Sequence, residues 1–237
     1  MDLKKVISTE LTTTRLFALA VLCISVIGVW NSLKFGSAAL NYSSVRNALE
    51  VWQSNAKVQT KEDYEQAFSA IKSAQFKHGS HPLYADTSGQ VTEWGLFAGY
   101  ESQDALEKAE QAYIRASKLR PTWPVTWASL ALIKWRKQEF DSDMLNYLRL
   151  ADKFGPQKPE VHVMFSQLGL ALYQANHPFY RDIRETVQNR LISGLRHEAS
   201  RDQVMLAVQQ NNAQDFACIW AETRDRYVYD NIIECAQ

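Results

Sequence analysis

The sequence predicts an all-α protein: one apolar helix able to cross a membrane, then a right-handed stack of helical hairpins. Three observations carry this. A stretch near the N-terminus lacks any charged side chain, helical periodicity dominates the remainder, and two segments about one hairpin apart resemble each other. Composition agrees. Nine glycines and six prolines in 237 residues leave too few turn residues for a many-stranded β fold. A formal net charge of zero argues against a surface built to coat nucleic acid.

Leu16 to Trp30 reads LFALAVLCISVIGVW, and extending to Leu33 gives close to the ~20 apolar residues that cross ~30 Å of hydrocarbon. Trp30 stands where an interfacial aromatic belongs. Lys4, Lys5 and Arg15 precede the run, whereas only Lys34 and later Arg46 follow it. That bias predicts a cytoplasmic N-terminus (1–15), a span (16–33) and, in a Gram-negative cell, a periplasmic remainder anchored to the inner membrane. Ser37-Ala38-Ala39 offers a competing reading as a signal-peptide cleavage site. It stands well beyond the apolar core, so a retained anchor is favoured.

Beyond the anchor, the chain repeats. Tyr113-Ile114-Arg115-Ala116-Ser117-Lys118-Leu119-Arg120-Pro121 aligns with Tyr147-Leu148-Arg149-Leu150-Ala151-Asp152-Lys153-Phe154-Gly155-Pro156. Tyr113 to Tyr147 is 34 residues and Pro121 to Pro156 is 35; upstream, Leu96 pairs with Leu130 and Trp94 roughly with Trp127. This period is that of tetratricopeptide repeats. Trp127, Leu130 and Ala131 then lie on the first helix of a unit, Phe140 follows its turn, and Tyr147 packs from the second helix. Ala109, Tyr113 and Ala116 share one helical face. Pro121 and Pro156 are expected to stop one unit and start the next. Asp143 and Phe97 occupy positions where such repeats usually carry small residues.

A weaker copy, with Trp52, Ala67, Ile71 and Ala74, predicts helices over about Ser44–Asn55 and Lys61–Lys77, followed by a polar linker from His78 to Gly89. A further pair is expected at about Pro159–Ala175 and Phe179–Glu198. The repeats thus fill 41–200, and 201–237 supplies capping helices and a tail, since an end repeat otherwise leaves an apolar face bare. Cysteine spacing fits no zinc site. In an oxidising compartment Cys218 and Cys235 close a short loop over the tail; otherwise they remain two thiols, the first beside Phe216 and Trp220.

Motifs that would carry chemistry are incomplete. His78 and His81 lack further ligands nearby, and His197-Glu198 is followed by Arg201 where a zinc-protease helix needs histidine. Ser54-Asn55-Ala56-Lys57 and Ser69-Ala70-Ile71-Lys72 have Ser-x-x-Lys spacing without the other elements of penicillin-binding enzymes. The acids Asp141 and Asp143, or Glu62 and Asp63, read as helix-start residues more readily than as a glycosidase pair. Trp123, between Pro121 and Pro124, is the candidate exposed contact, suited to stacking on a sugar ring. No catalytic, cofactor-binding or metal-binding set is expected, and no cofactor.

His81-Pro82-Leu83-Tyr84 leading to Glu93-Trp94, then Leu119-Arg120-Pro121-Thr122-Trp123-Pro124, Phe179-Tyr180-Arg181-Asp182, and the tail Phe216-Ala217-Cys218 with Cys235 carry a likeness. On these segments the chain resembles the VpsP family of polysaccharide biosynthesis proteins, over most of its length including the anchor. The resemblance implies a role in making or exporting an extracellular polysaccharide in biofilm gene clusters, with no catalytic residues to carry over. The expected function is a non-catalytic, membrane-anchored scaffold that binds proteins of a polysaccharide synthesis or export complex. Two alternatives stand beside it: an ancillary envelope chaperone or translocon-associated repeat protein, and a carbohydrate-active enzyme.

Overall fold

The computed structural model describes residues 3–235, with side chains from residue 15 onward, so the side chains of Lys4 and Lys5 and much of the expected 1–15 segment lie outside the described residues. The described chain is all-helical, with eleven helices and no strand. It divides into two compact units, residues 1–87 and 88–237.

In the first unit α1 (Leu3–Asn55) pairs with α2 (Lys61–Lys77). The apolar segment and the helix expected from about Ser44 are one uninterrupted element. No proline falls between residues 34 and 55, and side chains bond back to the helix at Ser25, Asn31 and Ser37. The segment from Leu16 to Leu33 is exposed along nearly all its length, and α1 is long and apolar enough to cross a membrane. Burial begins at Ala38 and continues at Val45, Leu49 and Trp52, one face of the helix. Against it α2 presents Tyr64, Ala67, Ile71 and Ala74. Thr60 and Asp63 form a capping box that starts α2, which explains the Glu62-Asp63 pair without chemistry.

The expected linker at 78–89 is corrected. From Pro82 onward it is helix α3 (Pro82–Phe97), with Asp86, Thr87 and Ser88 buried. Pro82 occupies the first helical position, where its missing N–H costs nothing. The polar composition that suggested a loop belongs to a buried helix face. The division between the two units falls inside α3.

The second unit continues with α4 (Ala105–Leu119), α5 (Pro124–Arg136), α6 (Ser142–Phe154), α7 (Pro159–Gln174), α8 (Tyr180–Arg196), α9 (Glu198–Gln210), α10 (Gln214–Arg224) and α11 (Arg226–Asn231). Successive hairpins α5–α6 and α7–α8 pack internally, and α5 touches α7 as α7 touches α9. First helices meeting in series define a hairpin stack. Tyr113, Ala109, Ala116, Leu130 and Ala131 are buried, while Trp94, Leu96, Trp127, Phe140 and Tyr147 are half-buried. Two glycines set the approach of neighbouring helices. A Cβ on Gly89 would stand 2.7 Å from the Tyr113 ring, and one on Gly169 would stand 2.3 Å from Val187. The C-terminal cap begins with α9 at Glu198 and buries Val204, Ala207 and Val208. Cys218 and Cys235 are joined by a disulfide with Cα atoms 5.7 Å apart, tying the segment after α11 to α10.

Candidate functional site

Within the second unit the hairpin stack has two kinds of connection, and they gather along separate edges. One kind joins the two helices of a hairpin. Gly99, Gln138 and Asn176, together with Asn212 in the cap, all take positive φ just past a first helix, as does Ala56 in the first unit. At each, one amide reaches back three residues and the next amide reaches back five, as in Gln138 to Trp135 and Glu139 to Lys134. These are Schellman closures, which satisfy the last carbonyls of the helix. At Gln138 the closure is also an ion pair, because Lys134 Nζ lies 2.7 Å from Glu139 Oε2.

The surrounding charges are mutually satisfied. Lys134 also reaches Asp141 at 2.8 Å, and Lys137 contacts Glu110 at 2.7 Å, Glu139 at 3.0 Å and Glu107 at 3.1 Å. Burial works against the charge on Lys134, yet the two carboxylates hold its ammonium above the ordinary lysine range. Asp141 is the N-cap of α6 through the Met144 amide, so both functions of that acid are structural. Glu93 accepts from the Tyr113 hydroxyl and pairs with Arg136. Aromatic contacts run along the same edge: Phe140 lies 4.1 Å from His177 and 5.5 Å from Phe179, ring to ring.

The second kind of connection joins one hairpin to the next. Pro121-Thr122-Trp123-Pro124 and Pro156-Gln157-Lys158-Pro159 are equivalent turns. Their roles refine the sequence reading. Pro121 and Pro156 sit beyond the helix ends, while Pro124 and Pro159 take the first positions of α5 and α7 and start them. Trp127 donates its indole N–H to the Pro121 carbonyl at 2.7 Å and stacks on Tyr147, pinning the turn to its hairpin. Trp123 is half-buried, with the Arg120 guanidinium 3.9 Å and the Lys158 ammonium 4.7 Å from its ring centre. The N-cap residues of α5 and α7 are therefore in contact, with two cations against the indole.

This edge continues into a cleft of about 540 Å³ lined by Gln157, Asn189, Ile192, Ser193, Arg196, His197, Arg224 and Asp225. His197 is the N-cap of α9, the third junction in the series. Arg196 pairs with Asp225 at 2.6 Å, and Arg224 donates to Gln188 at 2.5 Å. Burial would raise the Asp225 pKa, but Arg196 and the Val228 amide overcome it and hold the carboxyl below its usual range. Beneath the cleft Arg190 clasps Asp152 and the Pro156 carbonyl, locking α8 to the α6–α7 junction. His162 is buried nearby, its ring 6.2 Å from His197, and neither Nδ1 has a hydrogen-bond partner. Burial, with help from Arg190 and His197, lowers the His162 pKa to about 4.

Two exposed guanidiniums, each already bonded on one side, together with amides and a hydroxyl, make this edge rich in hydrogen-bonding groups. Among the described residues no group of three His, Cys, Asp or Glu side chains could hold a metal. His78 and His81 are stacked among Phe35 and Tyr84, and Ser54 donates to the Val51 carbonyl. Sequence reasoning found the junction turns but missed the cleft. Its side chains come from three separated segments, and no spacing signal unites them. No family model matches the chain, and no curated protein matches it.

Proposed function

We propose that the chain is a non-catalytic scaffold, held by a single membrane-spanning helix, whose hairpin stack binds protein partners in the synthesis or export of an extracellular polysaccharide. In this reading the N-terminus is cytoplasmic, and residues beyond the span face the periplasm of an inner-membrane system. The observation that carries it is the combination of an apolar, exposed α1 with hairpins packed in series. An anchor confines such a binder to two dimensions and raises the effective concentration of partners in the same membrane. Support for a binding role also comes from the fate of the candidate catalytic acids, which serve as helix caps and ion-pair partners. The polysaccharide pathway rests on the resemblance of the turn and tail segments to the VpsP family. Cross-linking in native membranes followed by affinity capture of the full chain tests the proposal. Enrichment of glycosyltransferase or polymer-export subunits is expected. A capture dominated by unfolded envelope proteins, or by translocon components, would replace it with a chaperone role.

A further inference from the structure

The first unit returns to the level at which its own apolar helix ends. Asn41 donates to Ser73 at 3.0 Å, and the Phe35 and His78 rings lie 4.4 Å apart. These contacts fix the antiparallel register of α1 and α2 and set residue 76 level with residues 37 and 38. At 1.5 Å per residue, ~30 Å of hydrocarbon measured from Leu16 ends close to Phe35, and the interfacial layer beyond it is roughly 5–7 Å deep. Residue 76 and the 78–81 loop thus fall inside that layer.

The side chains there suit it. Phe76, in the last turn of α2, is 88% exposed, the most exposed large apolar residue described. Trp30 and Phe35 on α1 are exposed at neighbouring levels. Charge is segregated along the hairpin. The span-proximal end carries Lys34, Lys72 and Lys77 with His78 and His81, and no acid occurs in 31–45 or 66–85. The unit's acids in this hairpin, Glu50, Glu62, Asp63 and Glu65, cluster at the far end, where Arg46 and Lys61 pair with two of them. In water, so exposed a phenylalanine, at an end of the hairpin whose nearest acid along the chain is the buried Asp86 of α3, has no compensating contact. At a bilayer surface the ring enters the interface and the ammonium groups meet anionic headgroups.

We infer that the end of α2 and the 78–81 loop form a second, interfacial membrane contact, in which Phe76 inserts beside Lys34, Lys72 and Lys77 and binds acidic phospholipid headgroups. The inference rests on α1 spanning the membrane, and the native cysteines separate the two claims. Cys218 and Cys235 are bonded, so Cys23, within the apolar segment, is the single free thiol. The full chain is reconstituted into phosphatidylcholine vesicles with and without phosphatidylglycerol. A nitroxide is placed at Cys23, or, in a Cys23→Ser background, at Phe76→Cys or at Gln53→Cys near the far end. Collision rates with oxygen and with a water-soluble nickel chelate report depth. The expected result is a deep label at Cys23, a label at 76 with an oxygen-to-nickel ratio several-fold above that at 53, and a smaller ratio at 76 on Lys77→Glu in the phosphatidylglycerol vesicles alone. A label at 76 as water-exposed as that at 53, with Cys23 deep, overturns the interfacial contact and leaves the span intact. A water-exposed Cys23 overturns both.

Discussion

The two edges of the hairpin stack use similar residues to opposite ends. Along the hairpin-turn edge, Lys134 and Lys137 are surrounded by Glu107, Glu110, Glu139 and Asp141, and every charge named has a partner of opposite sign. Along the junction edge, Arg120 and Lys158 crowd one indole, and Arg196 and Arg224 line an open cleft above a histidine that burial keeps neutral. Charges neutralised in place mark a region that holds the fold. Guanidiniums that line an open cleft while held by one partner each, Arg196 by Asp225 and Arg224 by Gln188, keep donors facing solvent and mark a region with capacity for something else.

The sharpest way to break this contrast is acidification. His162 is buried with its folded pKa lowered to about 4, whereas its unfolded value is 6.5. Between those values the unfolded chain binds a proton that the folded chain refuses, so stability is fully present above 6.5 and is lost as pH falls toward 4. The loss attributable to His162 is about 2–3 kcal/mol at the acid end. Denaturant unfolding of the detergent-solubilised chain at pH 7 and pH 4.5 should show a steep decline that His162→Leu flattens. An unchanged slope in the variant would mean that the junction region does not hold a suppressed charge.

The hairpin-turn edge should answer to a different change. Asp141→Ala removes the N-cap bond to the Met144 amide and one of the two carboxylates on Lys134. Because the acid is partly exposed, its ion pair is discounted, and the cap dominates a loss of about 1–2 kcal/mol. Asp141→Asn retains a capping oxygen and should recover most of it in thermal melting. Recovery absent from the asparagine variant would put the weight on the ion pair instead. A smaller effect, of opposite sign, tests the closures themselves. Ala56 and Gln138 adopt φ of 52° and 59°, where a Cβ is strained. Replacement of either by glycine should stabilise the chain by up to about 1 kcal/mol. Destabilisation would show that other contacts fix those turns.

These closures also explain what the sequence disclosed and what it concealed. The 34- and 35-residue spacings exposed the junction turns because the prolines of each turn recur, the first of them eight or nine residues after Tyr113 and Tyr147. The hairpin turns are equally regular in conformation, yet they use alanine, glycine, glutamine and asparagine at the left-handed position. Only asparagine recurs, at Asn176 and Asn212, so the backbone reveals a regularity that the residue types do not. The helix long and apolar enough to cross a membrane was legible from hydropathy alone. The buried face of α3 was not, because Asp86, Thr87 and Ser88 look like a loop until tertiary contacts enclose them. The cleft was beyond reach for a related reason: Gln157, Arg196 and Arg224 become neighbours only when three hairpins stack.

The smallest structural effect is expected where the functional effect is largest. Arg196 is exposed and its pair with Asp225 lies at the surface, so the ion pair contributes little to folding. Arg196→Ala should leave the melting temperature near that of the parent chain, and Arg224→Lys, which keeps a donor for the buried Gln188, should lower it little. If the junction edge is the binding surface, the same variants should lose the cross-linked partners that Lys137→Ala, on the opposite chemistry of the hairpin-turn edge, retains at a temperature where it is folded. The ranking is the informative part. A fold-holding edge loses stability before binding, and a binding edge loses binding before stability. Partner capture that survives both arginine changes but fails with Lys137→Ala would exchange the roles of the two edges.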